Sequence, residues 1–66
     1  MRIGIIGAGH IGGNIARQAA RSGHDVMLSF ARDPDKLESL AQELRGSVGT
    51  PAEAVAFGEV VVVSVP

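Results

Sequence analysis

The feature that most constrains this chain is the spacing of its first glycines. An apolar run from Ile3 to Ile6 stops at Gly7, and glycine returns at positions 9, 12 and 13. A helical pattern opens at Ile11: Ile15 and Ala19 repeat at intervals of four, with Ala16 beside them, while Asn14, Arg17, Gln18 and Arg21 take the other faces. Consecutive rather than alternating apolar residues before Gly7 suit a strand covered on both faces, as in a parallel sheet. Gly4 inside that run predicts close approach by a neighbouring element. Gly23 follows the helix where a left-handed stop is common, and Arg17 and Arg21 suit its C-terminal end.

The alternation continues. Val26 to Leu28 form a second apolar run. Asp33 is a candidate N-cap and Pro34 a candidate first helical residue, followed by a stripe of Leu37, Leu40, Ala41 and Leu44 that Gly46 closes. Ser47 to Gly49 make a very short strand or only a turn. Thr50, Pro51 and Glu53 spell a capping box for a short helix to Phe57. Val60 to Val65 read as a β-branched strand buried on both faces and ended by Pro66. Strand and helix alternating in this way predict an α/β fold with parallel strands and right-handed crossovers.

Within that frame the stretch GAGHIG is a phosphate-binding fingerprint, because it follows a strand, opens a helix and is succeeded by a second strand. Gly7 permits the tight turn, Gly9 lets a pyrophosphate approach the backbone, and Gly12 lets the helix pack against the strand. Ala8, His10 and Ile11 complete the loop, and the first amides of the helix favour a diphosphate. His10 lies far from any substrate proton, so a backbone role is expected of it rather than catalysis. The expectation is a Rossmann-type parallel sheet: the first βαβαβ half plus a fourth strand, with residues 1–66 a partial NAD(P)-binding domain. In the strand order 3-2-1-4-5-6 the fourth strand would await a fifth, which predicts a fragment of a larger doubly wound domain.

The tip of the second strand carries the cofactor preference. It offers Ser29, Phe30, Ala31 and Arg32, with no carboxylate at the strand end. A carboxylate would hold a free ribose 2′-hydroxyl, whereas an arginine pairs with a 2′-phosphate. NADP(H) is therefore expected over NAD(H), with Arg32 and Ser29 at the phosphate and Lys36 as a second cation. The competing reading makes Arg32 a solvated loop residue and Asp33 the ribose contact. Ser64, Val65 and Pro66 fall at the carboxyl end of the fourth strand, beside the switch point where ligands bind, and are candidates for lining the cofactor.

Composition removes other classes. Net charge is −1 and the aromatic residues are Phe30 and Phe57 alone, so the cationic face and stacking rings of nucleic-acid binders are missing. No apolar stretch approaches the ~20 residues of a membrane span, and glycines interrupt the N-terminal run too soon for a signal peptide. The chain has no cysteine, which fits a cytoplasmic setting, and His10 and His24 make no zinc pattern. A chain of 66 residues supports one small core.

The opening MRIGIIGAGHIGGNIARQAARSGHDVMLSFAR, with the later VVVVSVP, resembles the N-terminal NADP-binding domain of the deazaflavin-dependent NADP reductase family. That group lies within the wider 6-phosphogluconate dehydrogenase-like and pyrroline-carboxylate-reductase-like enzymes. The resemblance implies hydride transfer between NADP(H) and a deazaflavin or another small molecule. It implies that Ser29 and Arg32 contact the 2′-phosphate, although Phe30 and Ala31 separate them here and some members have the pair adjacent. It places the partner site beyond residue 66, so no catalytic residue is named. Two other functions stay open: a nucleotide-sensing regulatory module without catalysis, and a domain that only mediates association. A homodimer through missing regions or the exposed sheet edge is also an expectation.

Overall fold

The computed structural model describes residues 1–7, 9–29 and 34–64, with the side chains of His10 and Ile11 left aside. In chain order the elements are β1 (Arg2–Ile6), α1 (His10–Arg21), β2 (Asp25–Ser29), α2 (Pro34–Leu44), β3 (Ser47–Val48), α3 (Pro51–Phe57) and β4 (Val60–Val63). The four strands form one sheet in the order β3-β2-β1-β4, and every pairing is parallel. The expected α/β architecture, Rossmann-like with the first strand at the centre, is therefore present. The doubtful stretch after Gly46 is a two-residue strand, paired to Met27 and Leu28 of β2.

Strand alternation sorts the side chains onto two faces. Ile5, Val26 and Leu28 pack in one buried cluster with Ala16 and Ala19 of α1 and Leu37 and Ala41 of α2. Gly4, between Ile3 and Ile5, faces the other way, onto α3. A Cβ at Gly4 would overlap the backbone carbonyl of Ala54, which is itself fully buried in α3. The glycine inside β1 is thus the condition for α3 to lie against the sheet.

Local signals account for the helix ends. Thr50 Oγ1 accepts from the Glu53 amide at 3.1 Å and Glu53 Oε1 accepts from the Thr50 amide at 2.8 Å, completing the capping box. At the far end of α3, Arg2 Nε donates to the Phe57 carbonyl at 3.2 Å and the Glu59 amide donates to the Arg2 carbonyl at 2.8 Å. These bonds tie the turn between α3 and β4 to the start of β1. Helix α1 stops as expected: Gly23 has φ 85°, and the His24 amide donates back to Ala19 at 3.1 Å.

Helix α2 closes at Gly46, as the sequence reading has it, with a left-handed arginine just before the glycine. The left-handed residue is Arg45, at φ 56°, and Gly46 is the residue after it, its amide donating to the Ala41 carbonyl at 2.8 Å. Gly46 is small for another reason: a Cβ there would stand 2.6 Å from the Val26 carbonyl oxygen. The glycine serves the approach to β2, and the arginine takes the torsional cost.

Two expectations shift. Strand β4 ends at Val63, though the Ser64 amide still donates to the Ile6 carbonyl at 2.8 Å. It is also less covered than its β-branched run implied: Val60 and Val63 are 44% and 65% exposed. Among the described residues β4 pairs with β1 alone; by register Val60 lies on the face of α1 and α2 and Val63 on the face of α3, and none of the three helices packs extensively on β4, which leaves those valines uncovered. The proposed N-cap Asp33 lies outside the described residues. No helix among the described residues is long and apolar enough to cross a membrane.

Two substitutions test this packing by thermal or denaturant unfolding. Gly4→Ala is expected to destabilise the protein by about 1–3 kcal/mol, because the obstructing atoms are helix backbone. Arg45→Gly is expected to stabilise it by up to about 1 kcal/mol, by removing a left-handed non-glycine residue.

Candidate functional site

Parallel strands deliver their carboxyl ends to a single edge. At that edge Ile6 of β1 pairs with Ser29 of β2 on one side and Val63 of β4 on the other. The next residue, Gly7, donates its amide to the Ser29 carbonyl at 2.8 Å and turns with φ 95°, a conformation that favours glycine. Gly9 then serves as the N-cap of α1. The Gly13 amide donates to the Gly9 carbonyl at 2.7 Å, which is the first intrahelical bond.

Helix geometry therefore leaves the amides of His10, Ile11 and Gly12 without helical acceptors. Among the described residues no side chain caps them, and no acidic residue stands in the first turn. The positive end of α1 is presented to the switch point between β1 and β4. Donors and dipole there favour an anion such as a phosphate.

The glycines of the fingerprint have different causes. A Cβ at Gly12 would overlap the Gly7 carbonyl oxygen and approach Ser64 Cβ to 3.4 Å. Gly12 is therefore required by packing within the chain. Gly9 is not. Its φ of −84° suits any residue, and a Cβ built on it meets no described atom within 4 Å. The missing side chain leaves a cradle in front of the uncapped amides.

Gly7, Gly9, Gly12, Ser29 and Ser64 thus converge on one edge, with the backbone of His10 and Ile11 opening the helix. Ser64 is half-buried beside Gly12. Ser29 is fully buried, and its Oγ has no hydrogen-bond partner among the described residues. Lys36 is exposed in the first turn of α2. Ala8, Arg32, Val65 and Pro66 lie outside the described residues. Among the described residues no group of histidines, cysteines and carboxylates could hold a metal ion.

Two features of the edge have no counterpart in the sequence reading. The Ser29 carbonyl closes the Gly7 turn, and Ser64 abuts Gly12. Both join residues far apart in the chain, and only the strand order brings them together.

With this geometry, the family model described as NADP oxidoreductase, coenzyme F420-dependent matches residues 2–66. The chain belongs to this family. It is an NADP-binding, oxidoreductase-type Rossmann-like domain, as the deazaflavin-dependent resemblance implied. No curated protein matches the chain.

The two glycines are separable by unfolding measurements. Gly12→Ala should cost about 1–3 kcal/mol, because the Gly7 carbonyl must move. Gly9→Ser should leave stability within about 0.5 kcal/mol of the parent, because serine is a favoured N-cap and the space is open.

Proposed function

We propose that this chain is the NADP(H)-binding portion of an oxidoreductase that passes a hydride between NADP(H) and a deazaflavin or another small molecule. The observation that carries the reading is the cradle at Gly9: an uncapped helix start, at a sheet switch point, facing space that no packing demand explains. The residues fit the cofactor. The amides of His10, Ile11 and Gly12 would hold the diphosphate, with Ala8 and Gly7 forming the turn that admits it. Arg32 would pair with the 2′-phosphate, helped by Ser29 and Lys36, and Ser64, Val65 and Pro66 would line the other side of the crevice.

The unmet hydrogen bond of Ser29 supports its part in this. A buried hydroxyl without a partner costs about 1–3 kcal/mol, which a ligand oxygen would recover. When bound, NADP(H) supplies the hydride chemistry, and the chain binds and orients it. The family description supports both the cofactor and the deazaflavin partner. The lack of cysteine supports a cytoplasmic setting. The open edge of β4 supports association there, with a further strand or a second copy.

Calorimetric titration with NADPH and NADH tests the reading. Arg32→Ala should weaken NADPH by about 1.5–3 kcal/mol, the size of a charge-assisted hydrogen bond, and leave NADH nearly unchanged. Gly9→Ser should weaken both while the fold persists. Equal loss of both nucleotides in Arg32→Ala would overturn the 2′-phosphate assignment. Binding of neither by the parent protein would overturn the function.

A further inference from the structure

Ser64 follows the last residue of β4 and continues its pairing, its amide donating to the Ile6 carbonyl at 2.8 Å. That bond sets Ser64 level with Gly7, where the chain turns toward α1. Strand alternation places Ser64 on the same face as Val62, which packs against the cluster shared by α1 and α2. The contact with the helix is direct: Ser64 Cβ stands 3.4 Å from the position that a Cβ on Gly12 would take. On the reading that a dinucleotide binds at this edge, we infer that the Ser64 hydroxyl donates a hydrogen bond to its diphosphate, at the phosphate on the nicotinamide side.

Packing explains a small side chain at residue 64 but not a polar one. Val60 through Val63 are four valines in a row, and Ser64 breaks the run where it meets the first turn of α1. Alanine would satisfy the approach to Gly12 equally well. Among the described residues Ser64 Oγ makes no hydrogen bond, and the residue is only half-buried. Its O–H is therefore available to a ligand.

The other serine of the edge cannot take this part. Ser29 pairs with Ile6, which alternates with Ile5 of the cluster shared by α1 and α2, so Ser29 falls on the face of α3. Of the two, Ser64 alone shares a face with the open amides of His10, Ile11 and Gly12. It adds a side-chain donor to those backbone donors, and a hydrogen bond to a charged phosphate oxygen is about twice as strong as a neutral one. Strand β4 lies across β1 from β2, where Arg32 would hold the 2′-phosphate, so Ser64 meets the half of the diphosphate farther from the adenosine.

Calorimetric titration of Ser64→Ala with NADPH, NADH, ADP and AMP tests the inference, with thermal unfolding of the same variant beside it. The variant should unfold with the parent, since Oγ bonds to nothing within the described residues. It should bind NADPH, NADH and ADP each roughly tenfold more weakly than the parent does, and AMP equally well. The equal loss for NADPH and NADH separates this contact from Arg32, whose removal acts on NADPH. Unchanged NADPH affinity in Ser64→Ala would overturn this inference alone. So would a loss seen with NADPH but not with ADP, which moves the contact to the nicotinamide ribose, or equal losses for ADP and AMP, or a lowered unfolding midpoint. A parent protein that binds neither NADPH nor ADP would overturn the proposed function and this inference together.

Discussion

The contact on which the molecule depends is between two backbones. The carbonyl of Gly7 occupies the place that a side chain at residue 12 would need. That approach brings the first turn of α1 against the end of β1 and sets the direction of the helix. Because β1 lies between β2 and β4, the helix start then points at the crevice where the strand order reverses. Ser29 and Ser64 brace the turn from either side through backbone bonds to Gly7 and Ile6. The uncapped amides are held in position by sheet pairing as much as by the helix itself.

The opposite face of the sheet uses the same device. Gly4 lets the backbone of Ala54 rest directly on β1, so a helix of seven residues can cover the sheet without a large side chain between them. With α1 and α2 on one face and α3 on the other, the buried cluster stays small and is built largely from alanine, valine and leucine. Close backbone contact substitutes for bulk. Such a core has little slack, since the atoms facing each glycine are main chain and cannot rotate away.

Much of this was legible in local sequence. The four-residue spacing of Ile11, Ile15 and Ala19 marked α1, the stripe of Leu37, Leu40, Ala41 and Leu44 marked α2, and Thr50 with Glu53 marked the start of α3. Each signal acts within one or two turns, so the chain carries it without reference to the fold. The phosphate-loop reading was legible for the same reason: Gly7, Gly9 and Gly12 fall within six residues. That Gly46 closes α2 was legible, but the reason it is glycine was not: the carbonyl of Val26, twenty residues earlier, excludes its side chain, and the left-handed residue is Arg45. The exposure of β4 was also hidden, since a run of valines reports preference for a strand and not which elements cover it.

Sequence alone determined the order of elements, the helix start that Gly9 leaves bare and the family to which the chain belongs, because these depend on residues adjacent along the chain. Tertiary structure decided which glycines answer to packing and which to open space. It buried the hydroxyl of Ser29 and set Ser64 against the first turn of α1. Those outcomes rest on atoms brought together across the sheet and against its helices, and their separation along the chain gives no hint of the distance between them.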